Sequence, residues 1–219
     1  MLNLKTIKKN IKDNSYKQRQ ELIAKYFEKN ISFKSKFLDI GCSDACATVN
    51  YAQKAKIEKE NVFGLDIDDE SLKLAGEKIN VFKVDLEKDN LPFDDDFFDV
   101  VVIDQVMEHI KNIDNLIVEI DRILKPGGCL IISVPNLAAW HNRFLLLIGK
   151  QPLCINVFSD HCRGFCKCAL KEFIYKNTDI DNLVYFRGAG FYPFWGILSN
   201  FLSYIFPNLS VYIIFVFKK

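Results

Sequence analysis

Phe37-Leu-Asp-Ile-Gly-Cys-Ser-Asp-Ala45 joins a short apolar run to an acidic residue and a glycine, and a helix-like segment, Cys46 to Lys56, follows at once. Strand, tight turn and helix fit in that order. In a doubly wound α/β sheet the carboxyl end of a strand is where neighbouring loops diverge and backbone N–H groups stay open to a ligand. Working outward, Val62 to Ile67 reads as a strand, Glu70 to Lys78 as a helix, and Val81 to Val84 as a third strand ending at Asp85. The alternation is βαβαβ, which argues for a parallel sheet. Asp94 to Asp96 make an acidic turn before Val100 to Ile103, a continuous apolar run suited to a strand buried on both faces. Ile113, Leu116, Ile117, Ile120, Ile123 and Leu124 recur at helical spacing, with Pro126, Gly127 and Gly128 as the expected stop. Leu130 to Val134 supplies a fifth strand.

Beyond Pro135 the rhythm changes. A helix is expected over Leu137 to Ile148, then an irregular stretch over 149–168 rich in Cys, His and Gly, then a helix over Ala169 to Lys176. Leu183 to Phe186 and Val211 to Phe217 are strand-like. The opening 30 residues are polar with a helical pattern. Ser15 and Gln18 are placed as a capping box, with Tyr16, Arg19, Leu22, Ile23, Tyr26 and Phe27 on one side, so a helix packed outside the sheet is expected. We expect a single domain over residues 1–219, with a helical extension at 1–35 and a substrate-side insertion at about 137–168.

Composition narrows the function. Twenty-nine Lys plus Arg stand against 28 Asp plus Glu with the signs interspersed, whereas phosphate binding usually leaves a basic excess or stripe. No nucleic-acid partner is expected. Seven scattered cysteines without a leader segment ahead of them fit a reducing, cytoplasmic setting. Phe191 to Phe217 is apolar but broken by Pro193, Gly196, Asn200, Pro207 and Asn208, which argues against a spanning helix of about 18 residues or more. Within it, residues 191–206 suit a core helix, a pocket cover, a homodimer interface or a peripheral membrane contact.

Three successive strands end in or beside Asp39, Asp66 and Asp85. An acidic residue after the second strand suits a ribose diol, although any one of the three also suits a cap or a turn. A dinucleotide oxidoreductase would prefer G-x-G-x-x-G, and residues 41–46 read Gly-Cys-Ser-Asp-Ala-Cys. His161, Cys162, Cys166 and Cys168 lack C-x2-4-C spacing, so buried or half-buried loop thiols are expected there and no metal.

On these residues the sequence resembles the class I S-adenosylmethionine-dependent methyltransferases, strongly over Lys36 to Asn136. The resemblance implies a Rossmann-like doubly wound sheet, seven-stranded and mostly parallel, with an antiparallel C-terminal strand. It implies S-adenosyl-L-methionine as cofactor: Asp39, Gly41, Cys42 and Ser43 at its methionine part, Asp66 with Ile67 at the ribose, and Asp85 with Leu86 at the adenine. Ser43 and Ala45 stand where many members have glycine. Asp99-Val-Val-Val-Ile-Asp-Gln-Val-Met-Glu-His-Ile110 resembles the fourth-strand motif, in which Asp104 and Gln105 line the cofactor while Glu108 and His109 lie beside the reacting centre. Leu124-Lys-Pro-Gly-Gly-Cys-Leu-Ile-Ile-Ser-Val-Pro-Asn136 is similar to the following helix, turn and strand.

His109, with an unperturbed pKa near neutrality, is the candidate base for removing an acceptor proton, though it also suits a cap or a packing role. Asn136, Trp140, His141 and Arg143 combine hydrogen-bonding groups, a flat apolar surface and a positive charge, and are candidate acceptor contacts. Val134-Pro-Asn136, His141-Asn-Arg143 and Ser159-Asp-His161 resemble a small-molecule subgroup that includes quinone- and methionine-biosynthesis-associated methyltransferase-like proteins, with others of sugar and surface-polymer pathways. The expectation is methyl transfer to a small or lipid-linked acceptor, more on oxygen than on nitrogen or carbon, the alternative being an inactive methyltransferase-like binding or assembly protein.

Overall fold

The computed structural model describes residues 4–219, with the backbone alone described for residues 4–9, 11 and 12; the first three residues of the expected N-terminal extension lie outside the described residues. In chain order the elements are α1 (Leu4–Asn30), β1 (Phe37–Ile40), α2 (Cys46–Ala55), β2 (Val62–Asp66), α3 (Asp69–Gly76), β3 (Asn80–Lys83), β4 (Phe98–Asp104), α4 (Ile113–Ile123), β5 (Leu124–Pro135), α5 (Trp140–Leu147), α6 (Lys167–Asn177), β6 (Asn182–Ala189), α7 (Gly196–Ile205) and β7 (Tyr212–Lys218). The strands form one sheet in the order β3-β2-β1-β4-β5-β7-β6. β7 runs antiparallel to both β5 and β6, and the pairings among β1 to β5 are parallel. The seven-stranded, mostly parallel sheet with an antiparallel C-terminal strand is therefore present.

Strand alternation builds a core on each face. Phe37, Val100, Val102, Ile131, Ile214 and Val216 face one way and meet Ile23 and Phe27 of α1 and Tyr51 of α2. Leu38, Ile40, Val101, Ile103, Leu130, Ile132 and Phe215 face the other way and meet Ile117 and Ile120 of α4 and Leu170 and Ile174 of α6. Each fully buried Ile, Leu or Phe stabilises by about 1.5–3 kcal/mol, so this two-sided packing fixes the register of the central strands.

Three local readings need correction. Pro126, Gly127 and Gly128 do not stop the helix: α4 ends at Ile123 and β5 begins with the next residue. The Pro-Gly-Gly run is accommodated as an irregularity in β5, where Leu124 pairs with Phe98 and Cys129 with Val100, and Gly127 takes a φ of 78°. Ser15 and Gln18 form no capping box, because the helix runs through them from Leu4. Ser15 is buried against Gly190, where an added Cβ would lie 2.2 Å from Ser15 Oγ, and Gly190 N–H donates to Gln18 Oε1. α1 can approach the end of β6 this closely only because residue 190 has no side chain. Finally, Cys162 and Cys168 are exposed, not buried or half-buried, and Cys168 lies in α6.

Candidate functional site

The turn after β1 is held by Gly41 N–H and Cys42 N–H, which both donate to Leu65 O, and by Ser43 N–H, which donates to Asp66 Oδ2 at 2.8 Å. Ile67 and Asp68 donate their backbone N–H groups to Asp66 Oδ1. Asp66 therefore ties the first turn to the second strand. Gly41, with φ 78°, could carry no Cβ without placing it 2.3 Å from Val106 Cγ2. Ser43 and Ala45 also take left-handed φ values, 48° and 61°, at a cost of about 1–2 kcal/mol for each L-residue.

A cavity of about 280 Å³ opens where β1, β2, β3 and β4 end. Gly41, Asp66, Ile67, Asp85, Leu86, Gln105, Val106 and His109 are among its walls. Six of the ten expected cofactor residues thus share one space. Of the other four, Cys42 is buried, with its thiol pushed up to about 12, first by burial. Ser43 reaches Asp66 through its backbone N–H. Asp39 lies beneath the turn, its Oδ2 accepting from Thr48 Oγ1 at 2.5 Å, and burial pushes its carboxyl up to about 7. Asp104 forms a buried ion pair with Arg19, Nε to Oδ1 3.0 Å, without the alignment of a hydrogen bond. Burial raises the Asp104 carboxyl above its ordinary value and Arg19 opposes that rise.

A second cavity of about 710 Å³ adjoins the first and shares Gln105 and His109 with it. Its walls include Tyr16 and Arg19 of α1, Glu108, His141, His161, Tyr192 and Tyr212. Glu108 is 1% exposed, Oε2 has no hydrogen-bond partner, and burial pushes the carboxyl up to about 7. His141 is buried, which pushes its imidazole down to about 4 and keeps it neutral. The cavity thus combines a desolvated carboxyl, a buried guanidinium, three imidazoles and phenolic walls.

Among the expected acceptor contacts, Glu108 and His141 line this cavity, whereas Asn136, Trp140 and Arg143 are not among the lining residues. Asn136 is a buried clamp, its Nδ2 donating to Asn208 O and Ser210 O at 2.9 Å. Trp140 Nε1 donates to Tyr192 O, and Arg143 Nε donates to Ala138 O. Sequence reasoning did not place Arg19 and Tyr16 on the wall of this cavity. The available signal was Arg19 itself, a cation at helical spacing with Ile23 and Phe27 on a face that is otherwise buried.

Residues 38–132 match the family model described as a methyltransferase domain. No curated protein sequence matches the chain. Among solved structures it is similar to a SAM-dependent methyltransferase of Thermotoga maritima, with TM-score 0.61, 16% identity, 94% of this chain covered and 91% of that one. It is similar to a SAM-dependent methyltransferase of Archaeoglobus fulgidus, with TM-score 0.59, 18% identity, and 93% and 96% covered. A third structure, the [4+2]-cyclase SpnF, superposes with TM-score 0.62 at 16% identity, with 92% of this chain and 79% of that one covered. Strand order, two-sided core and the matched segment together make this the class I S-adenosylmethionine-dependent methyltransferase fold.

Proposed function

We propose that the protein transfers the methyl group of S-adenosyl-L-methionine to a hydroxyl oxygen of a small or lipid-linked acceptor. The observation that carries this reading is the pair of adjoining cavities at the strand ends, with Gln105 and His109 on the wall common to both. Gly41 keeps the smaller cavity open beside Val106, Asp66 and Asp85 are the acidic groups in reach of a ribose and an adenine amine, and Leu86 offers an apolar edge to the base. When bound, the cofactor supplies an electrophilic methyl on a sulfonium. His109, exposed to both cavities, is placed to take the acceptor proton, while Arg19 and the neutral His141 orient its polar groups.

The surface supports the lipid-linked form of the acceptor. α7 buries Ser199 and Ser203 and exposes Ile197, Leu198, Phe201 and Tyr204, the reverse of a core helix. Leu147, Val157 and Phe158 are more than four-fifths exposed, on α5 and the loop whose Leu153 and Cys154 line the larger cavity. An apolar face of this kind marks an interaction site. We place the protein in the cytoplasm with this face toward a membrane surface, or toward a second copy of the chain. None of the described helices is long and apolar enough to cross a membrane. The segments Val134-Pro-Asn136, His141-Asn-Arg143 and Ser159-Asp-His161 support the small-molecule subgroup associated with quinone and methionine biosynthesis.

A second reading, an inactive methyltransferase-like binding or assembly protein, draws on Ser43 and Ala45 in left-handed conformations within the cofactor turn. Calorimetric titration with S-adenosylmethionine and its demethylated product, followed by incubation with cell extract and methyl-labelled cofactor, separates the two. Label in a solvent-extractable small molecule is expected. Binding without any labelled product favours the inactive protein, and no binding to folded protein at millimolar ligand sinks both the enzyme reading and the cofactor-bound form of the inactive one.

A further inference from the structure

Glu108, His109 and His161 each offer a ligating atom within 4.8 Å of the other two, on the wall of the larger cavity. They come from two segments, the turn after β4 and the loop before α6, and the backbone fastens one to the other. Cys162 N–H donates to Glu108 O at 2.8 Å, and Arg163 reaches the carbonyls of Ile110 and Lys111. His161 is therefore held beside His109, with the two rings edge to face at a centroid separation of 4.7 Å.

The far nitrogen of each imidazole meets a backbone carbonyl, as metal-binding imidazoles require. His161 Nδ1 lies 2.7 Å from Cys154 O and His109 Nδ1 lies 3.3 Å from Asp160 O. A carbonyl can only accept, so Nδ1 is the donor in each ring and Nε2 is the nitrogen left to ligate. Glu108, 99% buried with Oε2 unpartnered, is a third donor already stripped of water. A desolvated carboxylate without a partner is costly, and a cation offsets that cost.

We propose that Glu108, His109 and His161 form a binding site for a divalent first-row transition metal ion, with coordination positions left open toward the acceptor cavity. Two imidazoles and one carboxylate suit such ions, whereas Mg²⁺ and Ca²⁺ prefer oxygen ligands throughout. None of the thiols of Cys162, Cys166 and Cys168 belongs to this group. What the ion does rests on the methyl-transfer reading above: an acceptor hydroxyl bound at an open position is acidified by the cation and gives up its proton to water, so that the oxygen takes the methyl group while the sulfonium leaves as a neutral thioether, and His109 serves as ligand in place of the base role given it above. The site itself stands on the geometry alone.

The test is titration of chelator-treated protein with Co²⁺, followed by calorimetry and visible absorption, with S-adenosylmethionine binding measured separately on the metal-free protein. One Co²⁺ per chain is expected, with bands of nitrogen and oxygen ligation. His161→Ala and Glu108→Gln should weaken it at least about 100-fold, beyond the roughly 10–100-fold that loss of a hydrogen-bond partner of a ligand costs. Because Glu108 is buried, His161→Gln at the half-buried loop position provides a folded variant to read in any case. Absence of Co²⁺ binding by folded protein at millimolar ion, thiolate charge-transfer bands, or unchanged affinity in the folded His161 variants would each overturn the site. Retained Co²⁺ binding without S-adenosylmethionine binding would keep the site and sink the methyl-transfer reading alone.

Discussion

Replacing Arg19 by Met should destabilise the protein through a residue more than 80 positions away in sequence. Arg19 Nε lies 3.0 Å from Asp104 Oδ1, with side-chain exposures of 5% and 11%. Removing one partner of a pair so buried typically costs about 3–5 kcal/mol, because the remaining charge has lost both water and counter-charge. Two features place the expected value at the lower end. Met keeps most of the apolar stem, and Asp104, whose carboxyl burial already raises, can take up a proton once Arg19 is gone. The Arg19 guanidinium also stacks over Tyr16 and Tyr212, at 4.6 and 5.0 Å from the ring centres, and Tyr16 is half exposed, so that loss adds about 0.5–1 kcal/mol. A loss of about 3–4 kcal/mol at neutral pH follows.

The pH dependence has a definite sign. A carboxyl whose folded pKa lies above its unfolded value contributes stability present at low pH and lost as pH rises. Without Arg19 the Asp104 carboxyl moves further up, so the deficit of Arg19→Met should shrink between neutral pH and about pH 5. Urea unfolding at both pH values measures this, and Arg19→Met with Asp104→Asn completes a cycle whose coupling should exceed about 1 kcal/mol. A single-variant loss under about 1 kcal/mol at neutral pH, or strict additivity in the cycle, would refute the buried-charge argument.

Further outcomes follow from the turn and the strand beneath it. Gly41→Ala, forced to keep φ near 78° with its Cβ 2.3 Å from Val106 Cγ2, should lose about 2–4 kcal/mol in urea unfolding and at least about tenfold in S-adenosylmethionine affinity. Ser43→Gly should instead raise the melting temperature by about 1–2 °C, since relief of the left-handed φ outweighs the added freedom of the unfolded chain at this exposed position. Ala45→Gly, measured the same way, should be near neutral, because Ala45 is fully buried and the lost methyl returns about 0.8 kcal/mol. Asp39, held at about 7 against 3.8 by burial, makes the parent lose about 4 kcal/mol as pH rises from about 4 to above 7, and Asp39→Asn should flatten that part of the stability profile.

The smaller cavity was legible because its lining residues follow a local rule. Gly41, Asp66, Asp85 and Gln105 each stand at or just past the end of a parallel strand, and parallel strands bring those ends to one edge of the sheet whatever their separation along the chain. The larger cavity obeys no such rule. Its wall draws Arg19 from the first helix, Glu108 and His109 from a turn, His141 and His161 from either side of an irregular loop, and Tyr212 from the last strand. Each pairing depends on a docking event that periodicity does not encode. α1 reaches the sheet edge because residue 190 is glycine, and the loop bearing His161 reaches Glu108 through a backbone bond from Cys162 that any residue but proline could make. A buried cation such as Arg19 is the exception that sequence can flag, since a charge on the apolar side of a helix needs a buried counter-charge somewhere. Finding that partner required the fold, because Asp104 reads equally well as a cofactor ligand until α1 is placed over it.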